Sequence, residues 1–163
     1  MAAKRTRKTA ASKKPSAKGG KKGAAAKKAA PKRTAKGGKV EEIQLRYIAQ
    51  ARSGDKGDVA NIALFAPTQE MYEVFCREVT AERVKAHFGD FVKGRIDRFE
   101  VPNVRGLNFV AYASLGGGGA ASLRSDPLGK SYGSNLLRMT IPVTSDVLKR
   151  TPKWKPPKDL PDV

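Results

Sequence analysis

The segment that decides the fold runs from Arg95 to Ala113 and reads RIDRFEVPNVRGLNFVAYA. Apolar and polar side chains alternate in residues 95–101 and again in residues 107–113, which is typical of strands. A short Pro-Asn turn at residues 102–103 joins the two runs. The segment therefore predicts two strands that follow each other closely along the chain.

Helices and further strands surround this pair. Residues 69–88 carry apolar side chains at three-to-four spacing and predict helix, in which Thr80 can cap a second helix after a break. A short helix is predicted at residues 133–139. Further strands are predicted by the apolar segments 43–50, 62–66 and 138–143. This mixture predicts an α+β ferredoxin-like sandwich, with an antiparallel or mixed sheet and helices on one face.

The basic charge of the chain is concentrated at its N-terminus. Residues 1–39 hold 15 of the 33 Lys and Arg residues and no acid, so they supply +15 of the net charge of +18 and leave +3 for residues 40–163. Apart from the terminal Met1, alanine is the only apolar residue type in residues 1–39. Burial of alanine cannot offset the entropy of ordering the chain, so a disordered tail is predicted.

A string of positive charge binds DNA or RNA by releasing counterions, without reading base sequence. The tail is therefore a candidate polyanion-binding segment, and the alternative is a solubilising extension. The residues predicted to contact a polyanion are Lys13, Lys14, Lys21, Lys22, Lys27, Lys28, Lys32 and Arg33.

Composition divides the chain into three parts: a basic tail over residues 1–40, a folded domain over 41–146 and a Pro-rich, extended C-terminal tail over 147–163. The chain has one cysteine, which excludes an internal disulfide. It shows neither the apolar core of a signal peptide nor a membrane span. We therefore predict a cytoplasmic protein without a membrane partner.

Residues 51–61, with the sequence ARSGDKGDVAN, place charged side chains, an amide and two glycines between apolar runs. This pattern predicts a loop that carries binding chemistry, and the alternative is a turn held by its own ion pairs. If the protein is an enzyme, one aspartate acts as general base and a nearby cation stabilises an oxyanion. The predicted ligand contacts are Arg52, Ser53 and Asn61, and the catalytic candidates are Asp55, Asp58 and Lys56.

A run of four glycines at residues 116–119 follows the strand predicted at 107–113. Such backbone can turn several N–H groups toward one anion, although the alternative is a flexible loop. If the two polar segments converge, they form a pocket for an anionic or carbonyl-bearing molecule, such as a carboxylate or a CoA thioester. The second group of predicted ligand contacts is Gly116, Gly117, Gly118, Gly119, Arg124, Asp126 and Lys130.

The glycine run matches neither a Walker loop nor a dinucleotide-binding fingerprint, so no cofactor is predicted. Carboxylates could supply oxygen ligands to magnesium. However, Arg52 and Lys56 lie close in sequence to two of these carboxylates. They compete with a metal ion as counter-ions, so no metal site is predicted. The carboxylates in question are those of Asp55, Asp58 and Asp126.

Several short motifs occur together in an order that resembles one known family. They are ARSGDKGD at 51–58 followed by Asn61-Ile62, VTAERVK at 79–85, EVPN at 100–103, LNF at 107–109, and LGGGG at 115–119 followed by Ser122-Leu-Arg124, Asp126 and Gly129-Lys130. The segment from 43 to 143 is similar to the C-terminal domain of the acyclic terpene utilisation (AtuA) family. That domain is described as ferredoxin-like.

The resemblance implies a role in the breakdown of branched or terpenoid acids as CoA esters. It implies a stand-alone small domain that accompanies acyl-CoA carboxylase or related acyl-CoA enzyme subunits, and it adds Asn108 to the predicted ligand contacts. The expected function is thus that of an accessory or small-molecule-binding subunit. Formation of a homo-oligomer is compatible with this role. The alternative is a nucleic-acid-binding protein whose folded domain only dimerises or docks.

Overall fold

The computed structural model of the protein describes residues 38–152. The strands are β1 Val40–Gln44, β2 Gln50–Lys56, β3 Val59–Phe65, β4 Ile96–Val101, β5 Gly106–Ala111 and β6 Thr140–Thr144. The helices are α1 Gln69–Glu78, α2 Ala81–Phe88, α3 Tyr132–Leu136 and α4 Ser145–Arg150. Single 3-10 turns occur at Leu45–Tyr47, Gly89–Phe91 and Pro102–Val104.

Four strands form one antiparallel sheet in the order β2-β3-β5-β4. The hairpins β2-β3 and β4-β5 each pair sequence neighbours, and β3 lies beside β5 in the centre. A separate two-stranded antiparallel sheet joins β1 to β6. The predicted α+β class, with antiparallel pairing and packed helices, is confirmed, and α1 and α2 connect the two hairpins.

The central strands bury every second side chain on one face of the sheet. Ile62 and Leu64 of β3 are fully buried, as are Phe109 of β5 and Phe75 of α1, and all belong to one hydrophobic cluster. Successive side chains of a strand point to opposite faces, so this alternation assigns one face to the core. The helices α1, α2 and α3 contact this sheet and contribute their apolar side chains to the same cluster.

The other face of the sheet is less buried, and we call it the open face. Its residues follow from the strand register, because paired residues share a face. Exposed Phe99 and Val101 of β4 lie on it, and Phe65 of β3 is 37% exposed. The open face comprises Gln50, Arg52, Gly54, Lys56, Val59, Asn61, Ala63, Phe65, Asp97, Phe99, Val101, Gly106, Asn108 and Val110.

The predicted helical break at Thr80 is confirmed. The Thr80 hydroxyl accepts a hydrogen bond from the Arg83 N–H at 3.3 Å and caps α2. Thr68 caps α1 in the same way, through the N–H of Met71 at 3.2 Å. Each hydroxyl satisfies a backbone donor that has no partner within its helix, so the two helices have separate starts.

The prediction that residues 51–61 form a loop is wrong. These residues form most of β2, a tight turn and the beginning of β3, with Lys56 paired to Val59. Gly57, at φ +68°, supplies the left-handed conformation that such a turn needs. The strand was missed because β2 lies at a sheet edge with one face open, where polar side chains are tolerated.

Both ends of the folded region also differ from prediction. The strand expected at 43–50 is interrupted by a 3-10 turn at Leu45–Tyr47, and the strand expected at 138–143 begins at Thr140. The C-terminal tail predicted to be extended begins with α4. The rest of that tail from residue 153, and the predicted disordered tail up to residue 37, lie outside the described residues. No helix within 38–152 has the length and apolar character to span a bilayer.

Two phenylalanines test the one-sided burial of the sheet. Phe109 is fully buried and Phe99 is 52% exposed. We expect Phe109→Ala to lower the free energy of unfolding by about 3–5 kcal/mol, because it leaves a cavity in the core. Phe99→Ala, the matched control, should cost about 1 kcal/mol or less. Urea denaturation measures both, and equal losses would contradict the assignment of the two faces.

Candidate functional site

A cavity of about 260 Å³ lies on the open face, beside edge strand β2. Three of its side chains are cationic, and none of the lining residues is acidic. It brings together four predicted ligand contacts and one catalytic candidate from segments about 70 residues apart. The lining residues are Arg52, Ser53, Gly54, Lys56, Asn61, Ala63, Phe65 and Lys130.

Ser53 fixes the position of Lys130 in this cavity. The Ser53 hydroxyl donates to the Lys130 carbonyl at 3.0 Å and accepts from the Gly133 N–H at 2.8 Å. These bonds hold the start of α3 against the edge of β2. The Lys130 amine then lies 3.2 Å from the place that a Cβ on residue 54 would take, so Gly54 leaves the room for it. Ser53 is therefore a positioning residue for the cation.

The three cations have no carboxylate partner within the described residues. Six salt bridges are found in residues 38–152, and none involves Arg52, Lys56 or Lys130. The Lys56 amine donates only to a backbone carbonyl, that of Asp55, at 2.8 Å. Unneutralised cations grouped at one concave place attract anions, and the effect weakens with salt.

The glycine run does not line this cavity. It binds an internal anion instead, because Oδ1 of Asp58 accepts from the N–H of Gly117 in the run at 2.9 Å and from that of Leu115, directly before the run, at 3.0 Å. A Cβ on Gly118 would lie 2.6 Å from the carbonyl oxygen of Gly57. The run therefore packs against the β2-β3 turn, and the carboxylate of that turn occupies the place at which we expected a ligand.

Arg124 is also held from within the protein. Its guanidinium donates to the carbonyls of Ser114 and, at 3.3 Å, Phe91. Ser114 is fully buried, and its hydroxyl accepts from the Ala60 N–H and donates to the Ala111 carbonyl, both at 2.9 Å. Sequence reasoning missed Ser114, for which the only signal was a hydroxyl directly after the predicted strand.

Asp126 caps the turn that leads into α3. Its carboxylate accepts from the N–H of Lys130 at 2.9 Å and from the N–H and hydroxyl of Ser131 at 2.8 and 2.5 Å. Burial raises the pKa of this carboxyl, but the hydrogen bonds from Ser131, Lys130 and Gly129 outweigh burial, so the pKa lies below its ordinary value. The carboxylate thus stays charged at neutral pH.

The predicted site residues therefore separate into groups. Arg124 and Asp126 line a second cavity of about 460 Å³, next to Phe91 and the start of α3. Asn108 lies on the open face, paired with Ala63 and outside the first cavity. The roles predicted for these residues as ligand contacts stay predictions.

The catalytic candidates are not brought together. Asp55 pairs with Ala60 and shares the core face of the sheet with it, whereas Lys56 lines the cavity on the open face. The carboxylate of Asp58 is bound to the glycine run. Among residues 38–152, no group of three or more His, Cys, Asp or Glu side chains is placed to hold a metal ion.

Comparison with known families agrees with the motifs. The sequence model of the AtuA ferredoxin-like domain matches residues 43–142, which is more than half of the chain. The chain belongs to the AtuA ferredoxin-like domain family. The resemblance inferred from the motifs is thereby confirmed, and the matched segment of this AtuA ferredoxin-like domain runs from β1 into β6. Comparisons with curated proteins and with solved structures give no match.

Two variants of Asp58 test its role as an anchor. Asp58→Ala removes the oxygen that accepts both N–H bonds, and we expect the free energy of unfolding to fall by about 2–3 kcal/mol. Asp58→Asn keeps an acceptor oxygen at that place and should cost clearly less. Urea denaturation of both variants measures the difference. Equal stability of Asp58→Ala and the native protein would contradict the anchoring role.

Proposed function

We propose that this domain is an accessory, small-molecule-binding subunit in the catabolism of branched or terpenoid acyl-CoA esters. Membership in the AtuA ferredoxin-like domain family supports a role related to acyclic terpene utilisation. The cavity of three cations on the open face supports the binding of an anionic or carbonyl-bearing ligand. That cavity is the single observation on which the proposal depends.

The chemistry of the cavity suits a phosphate or a carboxylate. A guanidinium such as that of Arg52 presents a planar fork of donors that matches either group in a bidentate way. Lys56 and Lys130 add point charges, and the amide of Asn61 can donate to a carbonyl oxygen. The lining residues include no acid and no histidine. The cavity therefore offers binding and charge stabilisation rather than a general base.

A binding domain of this kind acts through the enzymes that it accompanies. Under the proposal, its partners are acyl-CoA carboxylase or related acyl-CoA enzyme subunits in the cytoplasm. The domain presents or retains the charged acyl-CoA ester on which these enzymes act. Recovery of such subunits with the tagged protein would support this part of the proposal. Recovery of the domain alone would leave ligand binding as its function.

Substitutions in the cavity test ligand binding. We expect Arg52→Ala and Lys130→Ala each to weaken the binding of isovaleryl-CoA by about five- to tenfold, because each removes one charged hydrogen-bond donor. Isothermal titration calorimetry on the full chain measures the dissociation constants.

The matched control for these variants is Arg138→Ala, which removes an exposed cation that does not line the cavity. It should leave the affinity unchanged, which would show that the losses in the other two variants are not a general effect of removing one positive charge. Equal affinities of Arg52→Ala, Lys130→Ala and Arg138→Ala would contradict the proposed site.

A second candidate function concerns the tail. Fifteen basic residues and no acid within residues 1–39 favour sequence-independent binding of nucleic acid. The two functions are compatible, because they use different segments of the chain. The rest of the chain, with a net charge of only +3 over residues 40–163, is a poor nucleic-acid reader by comparison.

Salt dependence tests the tail. If the eight residues singled out above each neutralise a phosphate, affinity for duplex DNA should fall by about 10³- to 10⁵-fold between roughly 50 and 200 mM salt. Replacement of those eight residues by glutamine should abolish most of the binding, whereas Arg52→Ala should leave it intact. Fluorescence anisotropy with two unrelated duplexes measures this. Salt-independent binding, or binding that survives the eight replacements, would contradict it.

A further inference from the structure

One row of paired residues crosses the open face from the cationic cavity to an exposed aromatic ring. Register places Arg52 opposite Ala63, Ala63 opposite Asn108, and Asn108 opposite Phe99. Arg52 belongs to the cationic cavity at one edge of the sheet, and Phe99 is 52% exposed at the other edge. Between them lie the small side chain of Ala63 and the amide of Asn108, which is the one polar group of the row outside the cavity.

Apolar side chains border this row. Register places Phe65 beside Gly106 and Gly106 beside Val101, in the next row along the strands. The ring of Phe65 lies over Gly106, with Cδ1 3.3 Å from the place that a Cβ would take. Val101 is 40% exposed and Phe65 37% exposed, so the apolar surface is continuous with the cavity. Contiguous exposed apolar surface on a soluble domain commonly marks a binding site.

We infer that this surface is an apolar track that receives the hydrocarbon chain of an amphiphilic anion whose head lies in the cationic cavity. The inference rests on the proposed function and deepens it, since it assigns the ligand class and names Ala63, Phe65 and Phe99 as residues that select chain length. Charge selects the ligand: the cavity at one end carries three cations and no acid, so it favours an anionic head, and the track leads away from it.

The register also sets the length of the chain. Neighbouring strands lie about 4.8 Å apart, so the row from β2 to β4 spans about 14 Å. An extended hydrocarbon advances about 1.25 Å for each bond, given a C–C length of about 1.5 Å. About eleven carbons therefore reach from Arg52 to Phe99, and longer chains extend beyond the sheet edge. Affinity should rise with chain length up to this limit and then level off.

A series of n-alkyl phosphates with 4, 8, 12 and 16 carbons tests the inference. Each is titrated into the full chain by calorimetry below its critical micelle concentration, so that single molecules are measured. Full burial of a CH₂ group tightens binding about fourfold, and a chain covered on one side should gain about twofold per carbon. We expect steady gains from 4 to 12 carbons and no gain from 12 to 16.

Phe99→Ser provides the decisive variant, because Phe99 is too exposed for its loss to unfold the domain. It should remove most of the roughly tenfold gain in affinity between the 8-carbon and 12-carbon phosphates, and it should leave the affinity for butyl phosphate unchanged. Ala63→Glu should weaken the binding of every phosphate, butyl phosphate included, because Ala63 lines the cavity and the new carboxylate would lie opposite Arg52. Phe91→Ser is the matched control, since Phe91 is 62% exposed and lines the other cavity.

The outcomes separate this inference from the proposed function. Equal binding of all four phosphates would overturn the track and leave the cationic cavity in place. Failure of every phosphate to bind would overturn both. A dimer in sedimentation that Phe99→Ser converts to monomer would also overturn the track, since a second copy would then cover it. The track is supported if affinity rises with chain length, if Phe99→Ser ends this rise at a shorter chain, and if Phe91→Ser leaves it unchanged.

Discussion

The alternation of side chains along β3 is the constraint from which the rest of the arrangement follows. Ile62 and Leu64 point to the helices, so Asn61, Ala63 and Phe65 must point away from them. A slip by one residue would exchange the two sets and place an amide in the core. The same alternation that secures the hydrophobic core therefore leaves one face of the sheet for contact with other molecules.

The long connection between β5 and α3 is attached to the β2-β3 hairpin at two places. Asp58 holds the glycine run at the turn of the hairpin, and Ser53 holds the start of α3 at its edge. Between these anchors, the carboxylate of Asp126 accepts hydrogen bonds from backbone N–H groups of the connection. The anchors place the amine of Lys130 beside β2, so the grouping of the three cations depends on the hydrogen bonds that Ser53 and Asp58 make to the connection.

Much of the fold could be predicted from local patterns. The strands around 95–101 and 107–113 and the helical break at Thr80 are encoded by spacing and capping within a few residues. The order of the strands in the sheet could not be obtained in this way. The pairing of β3 with β5 joins residues about 40 to 50 positions apart, which no periodicity records.

The meeting of polar residues in the site could be predicted from the sequence, but the roles of two of them could not. Arg52, Asn61 and Lys130 do meet in one cavity, as convergence of two polar segments required. The roles of Asp58 and Ser53 were missed because a carboxylate and a hydroxyl look alike in sequence whether they face a ligand or a backbone N–H. The partners of Asp58 lie 57 and 59 positions away and those of Ser53 lie 77 and 80 positions away, so only the tertiary structure distinguishes the two cases.

We propose that the cationic cavity on the open face is where this AtuA ferredoxin-like domain binds its ligand. The most direct test is to titrate ¹⁵N-labelled protein with a branched acyl-CoA and follow the backbone amide resonances. We expect saturable shifts at Arg52, Asn61 and Lys130, with the amide of Asn135 in the other cavity unaffected. Saturable shifts confined to Asn135 and its neighbours, or no saturable shift at the open face, would contradict it.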